Sequence, residues 1–576
     1  MKQMKRSYER GIVFCLLTIF LILAYSSMIN NSATFDEPNF ITAGYSYWTA
    51  EDFRLNAEHP PVAKLLAGFP LQFMTPEPVL NTTSPHWIHA ADPMYMFEHQ
   101  WDLSGDFLYS GVNDAEKIIF FARLPFLLIG ILLGLYVYRW AKELYGQYAG
   151  LFALFLYSLC PNMLAYTQLV ITDFVFTAFF FITMYYFWRW RSERKIRDVI
   201  LSGIFFGMAL ASKFSAVYMI PIIGILIGAE WIFHYKSKTF NFQKQIQHDC
   251  VGVALASVVA LVVIAAMYFF IHARDYFLVI AFTIWRSVSG HLAYLLGSYS
   301  SQGWWYYFIV VFFSKTQSSL IILLFVLLFL LCVFKKWRRE NFCVDLILII
   351  PPVFYFIAFM FNYINIGIRH ILPIYPFLFV FVSKAVMLEF EREQTKKIWK
   401  VILFLLLVWY AASTFFIAPH FLSFFNDFVS GPENGPNILL DSNIDWGQDM
   451  NRLEQWIEKN DLRNTAVYYS VFTTEPLGYR DIQIAAVPCT PHPGIFVLSV
   501  NNLYDLAQNR EGCFDWLRAR EPTEKIGYSI FIYNITDSDL EEQKRQCTEE
   551  CTAACEAYNK TFQEYIFTDH CVCGCE

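Results

Sequence analysis

Two adjacent carboxylic acids, Asp36 and Glu37, stand just after a long apolar run near the start of the sequence. Further along, the stretch EHPPVAKLL places His59 and Lys64 on either side of a Pro-Pro step. A carboxylate can take a proton from a hydroxyl group, and an imidazole or an amine can bind an anion. The Pro-Pro step fixes a turn or a helix start, which gives these side chains a stiff support. This set of residue types fits a site that handles an anionic head group and an acceptor hydroxyl. The alternative is an acidic pair that only ends the apolar run.

A third acid and several cations stand within or at the ends of other apolar runs. Asp173, in QLVITDFVFTAFFF, is costly at such a depth unless it has a partner or a function; its alternative role is to cap the following helix. Arg123 can either extend toward water or pair with Asp36 or Asp173. Three further cations end apolar runs: Lys213, Lys315 and Arg369. Single cations of this kind are usually anchors, whereas several on one side fit a bound phosphate.

The elements that must position these residues are strongly apolar. Of the 576 residues, 56% are hydrophobic and 16% are charged, against roughly 25% charged residues in ordinary soluble domains. The net charge of −7 leaves no basic surface for a nucleic acid. We therefore expect an α-helical polytopic membrane protein, and we exclude a disordered chain, a nucleic-acid-binding protein and an ordinary soluble enzyme. Apolar runs of about 20 residues predict eleven spans: 12–29, 118–138, 147–165, 174–188, 198–212, 216–233, 250–271, 305–334, 343–362, 370–388 and 398–417.

Lys and Arg are distributed unequally between the two sides of these spans. Loops on the side of the N-terminus carry 22 of them, and the opposite loops before the last span carry seven. Because Lys and Arg are enriched in cytoplasmic loops, we expect a cytoplasmic N-terminus. An odd number of spans then places residues 418–576 outside the cytosol. The expected location is therefore a membrane that separates the cytosol from an outer compartment.

Two water-facing regions follow on the outer side. The first loop, residues 30–117, holds twelve Asp and Glu residues against three Lys and Arg residues. Beyond the membrane domain of residues 1–417, residues 418–539 are predicted to form a small α/β domain. Its expected strands are NILL, TAVYYSV, GIFVLSV and IGYSIFIYNI, with a helix at 447–459. Residues 540–576 form a charged, Cys-rich tail.

The outer side holds an even number of cysteines. They are Cys489, Cys513, Cys547, Cys551, Cys555, Cys571, Cys573 and Cys575. An oxidising compartment would pair them as disulfides. The competing interpretation is a zinc site, because Cys-x-Cys-x-Cys near His570 could bind that metal.

Several of these motifs, taken together, resemble a known family. The sequence is similar to GT-C glycosyltransferases of glycosyltransferase family 39, which include the protein O-mannosyltransferases and the aminoarabinose transferases, and in particular to their bacterial members. The resemblance runs in order over residues 30–450. It rests on FDEPNFITAGYSYW, EHPPVAKLL, TDFVFTAFFFITMYYFWRW, GMALASKFSAVYMIPI, GHLAYLLGSYSSQGWWYYFIVVFFSKT, GIRHILPIYPFLFVF and PHFLSFFNDFVSGPENGPNILLDSNIDWGQDM.

The resemblance implies a polyprenyl-phosphate sugar donor, a site open to the outer side and inversion at the sugar carbon. The similarity to bacterial members also implies that the protein lies in a bacterial inner membrane. It implies that Asp36 is the catalytic base, that Glu37 supports this base or orients the acceptor, and that Asp173 matches the second acidic position of the family. His59 stands where some relatives have a phosphate-binding Lys before Pro-Pro. The implied candidates for the donor phosphate are His59, Lys64, Arg123, Lys213 and Arg369.

The physical chemistry agrees with a single base. A phosphate leaves without needing a proton, so one carboxylate that accepts the proton of the hydroxyl is sufficient. Neighbouring residues on a helix diverge by roughly 100°, which favours one base and one supporting acid. No metal and no cofactor is expected, since no His/Asp cluster at ligand spacing is apparent. The sugar and the hydroxyl acceptor (protein, lipid or glycan) stay open. The alternative function is a transporter or flippase for a lipid-linked or anionic solute, whose typical internal repeat is not apparent here.

Overall fold

The computed structural model describes residues 4–74, 76, 85–90, 96–235, 242–277, 280, 283, 290–334, 342–476, 478–506, 512–557, 561–567 and 571–575. Helices dominate this part of the chain. The first twelve are α1 (Arg6–Asn30), α2 (Glu37–Ala50), α3 (Val62–Leu71), α4 (Pro85–His89), α5 (Met96–Tyr109), α6 (Ala115–Tyr145), α7 (Gln147–Ser158), α8 (Pro161–Thr167), α9 (Thr172–Glu193), α10 (Ile196–Leu210), α11 (Met219–Tyr235) and α12 (Phe242–Met267).

Nine further α-helices lie among the described residues of the second half of the chain. They are α13 (Tyr307–Lys315), α14 (Ser318–Val333), α15 (Phe342–Met360), α16 (Ile374–Val382), α17 (Glu393–Ile417), α18 (Met450–Lys459), α19 (Val500–Leu503), α20 (Asp515–Arg518) and α21 (Asp537–Ala557). Each of the eleven apolar runs predicted to span the membrane overlaps one of these helices or a pair of them. The prediction of an α-helical membrane protein is therefore confirmed.

By length and composition, five helical segments among the described residues can cross a membrane, or seven if each bent pair counts as one span. The five are Arg6–Asn30, Ala115–Tyr145, Phe214–Phe233, Gln243–Met267 and Glu393–Ile417. The bent pairs are α7 with α8, at 63°, and α13 with α14, at 109°. The second pair corresponds to the run 305–334, which the sequence predicts as one span. The run is broken between the two helices, where the side-chain amide of Asn426 donates to the carbonyl of Thr316 at 2.5 Å.

The C-terminal region contains a five-stranded sheet. Its strands are β3 (Val467–Ser470), β4 (Ile484–Ala485), β5 (Gly494–Ser499), β6 (Glu524–Ile526) and β7 (Ile530–Ile535), which follow β1 (Ala293–Leu295) and β2 (Ser298–Ser300) of a separate hairpin. The strand order is β4-β3-β5-β7-β6, with β3 parallel to β4 and β5, and β7 antiparallel to β5 and β6. The small α/β unit is thus present. The prediction that NILL is one of its strands is wrong, because that segment forms tight turns and a single bridge from Leu439 to Leu295.

The tail packs a helix against a hairpin. α21 lies beside β8 (Phe562–Phe567) and β9 (Cys571–Cys575). Disulfides join Cys489 to Cys513, Cys547 to Cys571 and Cys551 to Cys573, and Cys555 is also disulfide-bonded. The prediction of disulfides is confirmed for these residues. His570, the suggested zinc partner, lies outside the described residues.

The segment after the last span, residues 418–449, packs onto the ends of the membrane helices. The backbone N–H of Phe35 donates to the carbonyl of Trp446 at 2.8 Å, and the ammonium of Lys315 donates to the carbonyls of Leu422 and Asn443. Apolar side chains of this segment belong to the same core as the spans. The C-terminal segment and the first loop therefore meet at one end of the helices, which we call the loop end.

The first loop is held by a close crossing of α2 and α3. At this crossing Gly44 faces Gly68, and a Cβ on Gly44 would lie 2.1 Å from the carbonyl oxygen of Lys64. A side chain larger than hydrogen would force the two backbones apart. The crossing fixes the direction of α2, and with it the position of Asp36 at its start.

Candidate active site

Asp36 and Arg369 form an ion pair at the loop end. Asp36 occupies the N-cap position of α2 without a capping bond from its side chain, and Arg369 stands in a 3-10 turn at 368–371, just before α16. The Nη1 of Arg369 donates to Oδ2 of Asp36 at 3.0 Å. The side chain of Asp36 is 30% exposed and that of Arg369 is 11% exposed, so the carboxylate is open to a small reactant. The guanidinium also lies over the ring of Trp446, 4.1 Å from its centroid.

A second ion pair joins Asp173 to Lys213. Asp173 is buried in the first turn of α9, where a negative charge is favourable, and its Oδ1 accepts from the ammonium of Lys213. Lys213 lies in the extended link after α10. The alternative role of Asp173 as a helix cap is wrong, because Ile171 occupies that position and no side chain caps it.

The two pairs form one electrostatic cluster. Arg369 interacts electrostatically with Asp36, Asp173 and Asp441, and His370 interacts with Lys213, Arg369 and His59. The structure thus brings together four of the predicted site residues from distant parts of the chain: Asp36, Asp173, Lys213 and Arg369. We call Asp36, Asp173, Lys213, Arg369 and Asp441 the polar cluster.

Asp441 and Trp446 are members of this site that the sequence did not assign. Asp441 adopts a left-handed conformation, with φ at 59°, and its backbone N–H donates to Oδ1 of Asn501 at 2.8 Å. The signal was present in DSNIDWGQD, where acids recur at every fourth position next to a Trp. One of them, Asp445, is 1% exposed and bonds the backbone N–H of Gly447, so it holds this turn.

The pKa of Asp36 lies above its ordinary value. Burial is the main cause, and it outweighs the attraction of Arg369, which acts in the opposite direction. The negative charges of Asp441 and Asp173 raise the pKa further. A carboxylate with a raised pKa is a stronger base, which suits it to accept a proton.

Glu37 points the other way, into the protein. Its side chain is fully buried and forms a two-pronged pair with Arg123, with contacts of 2.8 Å and 2.6 Å. The backbone N–H groups of Val170 and Thr34 also donate to it. Burial opposes ionisation of Glu37, but the charge and hydrogen bonds of Arg123 outweigh it and hold the pKa below its ordinary value.

The sequence suggested that Arg123 could pair with Asp36 or Asp173, but in the structure it pairs with neither. Its guanidinium is 1% exposed, and besides Glu37 it donates to the carbonyls of Met28, Asn31 and Ser32. The reason is that Asp36 and Glu37 diverge at the start of α2, so that the second acid faces the buried arginine.

Lys64 and His59 also make internal contacts. The ammonium of Lys64 is fully buried and donates to the carbonyls of Asn56 and His59, both at 2.6 Å. The ring of His59 stacks on Phe40 with centroids 5.4 Å apart. Of the five residues predicted to bind a phosphate, Arg369 and Lys213 thus belong to the polar cluster. Lys64 and Arg123 instead make internal contacts that hold the first loop.

The first loop also contains a cluster that contradicts one expectation. His86, His99 and Asp102 place their ligand atoms within 4.8 Å of one another. No His/Asp cluster at ligand spacing is apparent along the sequence, because α4 and α5 must pack together to form it. The signal was the pair His86-x-x-His89 followed by His99-x-x-Asp102, each of which puts two side chains on one helix face.

Comparison with known families gives one match. Residues 115–264 match the family model described as dolichyl-phosphate-mannose-protein mannosyltransferase. The match confirms, for this segment, the resemblance that the sequence motifs indicate. It covers α6 to most of α12, which includes Arg123, Asp173 and Lys213. A sequence search of curated proteins gives no match.

Solved structures of membrane enzymes show similarity at low identity. ArnT from Cupriavidus metallidurans, bound to undecaprenyl phosphate, is 12% identical, with 91% of this chain and 97% of that chain covered and a TM-score of 0.47. The oligosaccharyltransferase of Archaeoglobus fulgidus in the apo form is 10% identical, with coverages of 85% and 70% and a TM-score of 0.45. The Saccharomyces cerevisiae Pmt1-Pmt2 complex is 18% identical, with 48% of this chain and 35% of that chain covered and a TM-score of 0.35.

Proposed function

We propose that this protein is a membrane glycosyltransferase that moves a sugar from a polyprenyl-phosphate donor to a hydroxyl acceptor. The match of residues 115–264 to a mannosyltransferase family supports the general kind of reaction. The single observation that carries the assignment to this chain is the contact between Asp36 and Arg369. It places a partly open carboxylate beside a fixed cation at the loop end, where a lipid head group can enter from the bilayer. The proposed location of this end is outside the cytosol.

The cations of the polar cluster would bind the donor phosphate. Arg369 presents a guanidinium suited to two phosphate oxygens, and Lys213 adds a point charge. Both are already held by carboxylates, so that their positions are fixed before the donor arrives. During transfer, negative charge grows on the oxygen that bridges the phosphate and the sugar, and these two cations stabilise it.

Asp36 would take the proton of the acceptor. As the hydroxyl oxygen forms its bond to the anomeric carbon, its proton moves to the carboxylate of Asp36. The bond from that carbon to the phosphate oxygen breaks, and its electron pair leaves with the polyprenyl phosphate. Attack from the side opposite the phosphate inverts the sugar carbon. Asp173 acts through Lys213, which it holds in place.

Glu37, Arg123 and Lys64 would act as positioning residues in this scheme. Glu37 and Arg123 join the start of α2 to α6 and to the segment before α9. Lys64 closes the turn that contains His59. His59 interacts electrostatically with His370 beside Arg369, so it stands at the edge of the phosphate site rather than at its centre.

The transfer of a labelled sugar by Asp36→Asn tests the base. A panel of radiolabelled polyprenyl-phosphate sugars identifies a donor for the parent protein, and single-turnover transfer is then measured at saturating donor. We expect the rate to fall by about 10²–10⁴, the usual contribution of a positioned base. Donor binding should persist, because Arg369 and Lys213 remain.

A matched control is Asp461→Asn. Asp461 is exposed in the C-terminal region and has φ at 53°, a conformation that Asn tolerates. The control should retain parental transfer. If Asp36→Asn stays within a few-fold of the parent while donor affinity and folding are intact, Asp36 is not the base. If no donor releases free polyprenyl phosphate and instead the intact lipid-linked sugar crosses vesicles, the transporter alternative replaces the transferase.

A further inference from the structure

The ligand atoms of His86, His99 and Asp102 converge at one point of the first loop. Nδ1 of His86 lies 3.0 Å from Nδ1 of His99 and 3.3 Å from Oδ2 of Asp102. Nδ1 of His99 lies 3.9 Å from the same carboxylate oxygen. We propose that these three side chains form a binding site for a divalent transition-metal ion, for which zinc is the best fit.

The three distances agree with ligands of one tetrahedral ion. With zinc–nitrogen and zinc–oxygen bonds of about 2.0–2.1 Å, two ligand atoms at the tetrahedral angle stand about 3.3 Å apart. The observed separations lie on either side of this value. The two imidazole nitrogens at 3.0 Å can share one proton in the absence of a metal, and an ion replaces that proton while it also satisfies the carboxylate.

The ligand chemistry selects the class of ion. Two imidazoles and one carboxylate suit zinc and its neighbours in the first transition row, whereas magnesium and calcium prefer oxygen ligands throughout. The side chains of His86, His99 and Asp102 are 40%, 21% and 54% exposed, so an ion can enter from water. Three protein ligands leave a fourth position, which water or a substrate group can occupy.

A cavity of about 580 Å³ lies next to the site. His86 and Asp102 are part of its wall, and Phe35 and Pro38, which flank the acidic pair, are another part. Thr473 and Thr474 of the C-terminal region also line it. The first loop and the C-terminal region thus share this cavity, and the fourth coordination position would open into it.

The metal site is mechanically connected to the start of α2. The hydroxyl of Ser104 donates to Oδ1 of Asn39 at 2.6 Å, and the ring of Trp101 meets that of Phe35 with centroids 4.9 Å apart. Both contacts join α5, which carries His99 and Asp102, to residues beside Asp36. An ion that fixes α4 against α5 thus also stiffens the wall of this cavity next to the start of α2.

Metal binding by the full-length protein tests the proposal. The purified protein is treated with a chelator without reductant, so that the disulfides of the tail stay closed, and zinc is then titrated calorimetrically. We expect one zinc ion per chain. The variants His86→Asn, His99→Asn and Asp102→Asn should each lose more affinity than the roughly 10–100-fold that the loss of an outer partner costs. His492→Asn, which changes a histidine exposed in the C-terminal region, should bind like the parent.

Cobalt and thermal unfolding give independent readouts. Cobalt(II) bound by the parent should show the intense visible bands of tetrahedral coordination, and His99→Asn should not. Zinc should raise the unfolding temperature of the parent but not that of His99→Asn, while the two unfold alike in chelator. Less than one ion per chain in the parent, or equal binding by the parent and all three ligand variants, overturns the proposal. Neither readout depends on sugar transfer.

Discussion

Arg369 should control the pH dependence of transfer through Asp36. If Asp36 is the base, the rate falls on the acid side as its carboxylate becomes protonated. Burial raises the pKa of Asp36, and the positive charge of Arg369 lowers it. In Arg369→Gln this lowering is lost. The pKa of Asp36 should rise further, and the acid limb of the pH–rate profile should move to higher pH.

The size of the shift follows from the geometry of the pair. With charge centres about 4 Å apart, the attraction is about 1 kcal/mol in water and about 4 kcal/mol at an effective dielectric constant near 20. The carboxylate is 30% exposed, so water screens the pair and the loss should lie nearer the lower limit. Since about 1.36 kcal/mol corresponds to a factor of ten, we expect the transfer rate on the acid side to fall by up to about tenfold.

The assay is single-turnover transfer at saturating donor from about pH 4 to about pH 8, a range that brackets ordinary and raised carboxyl pKa values. Saturation separates the pH effect from the weaker donor binding that the variant should also show. Arg369→Lys is the matched control, because it keeps the charge and loses the two-pronged geometry. Its acid limb should stay near that of the parent. An unmoved limb in Arg369→Gln, or an equal shift in both variants, would refute the electrostatic coupling.

Two further predictions concern the frame of the site. Arg123→Met removes the positive charge beside the buried carboxylate of Glu37, so unfolding in detergent should be easier by about 3–5 kcal/mol, and addition of Glu37→Gln should recover part of this loss. A change below about 1 kcal/mol would contradict a stabilising role of the pair. Gly44→Ala should destabilise the fold by about 1–3 kcal/mol or more, because its Cβ would meet a backbone carbonyl at 2.1 Å. Gly105→Ala, on a helix with open space at that position, should be neutral or stabilising. Equal effects of the two substitutions in the same thermal assay would contradict the close packing of α2 against α3.

The apolar runs determine much of this fold because length and hydropathy are local properties. They do not determine where a run bends: the break after Lys315 depends on Asn426, which reaches the Thr316 carbonyl from beyond the last span. Likewise NILL has the composition of a strand, but its segment packs against the loop end instead.

The candidate site was predictable as a set of residue types and not as a set of contacts. Asp36, Asp173 and Arg369 stood out because charges are costly near apolar runs. The same argument selected Lys64 and Arg123, since hydropathy cannot distinguish a cation that faces an open site from one that is paired inside. That distinction arises from tertiary packing, as does the convergence of the histidines of α4 and α5.

The contacts of Lys315 determine the order in which parts of this protein can fold during its synthesis. Its ammonium is fully buried against carbonyls of Leu422 and Asn443, and Asn443 follows it by 128 residues. At roughly 5–20 residues per second, a ribosome adds this length in about 6 to 26 s. During that interval the lysine has neither of these carbonyls and must stay near water, so the bent helix pair cannot settle at its final depth. Completion of the membrane part therefore waits for the chain that follows the last span.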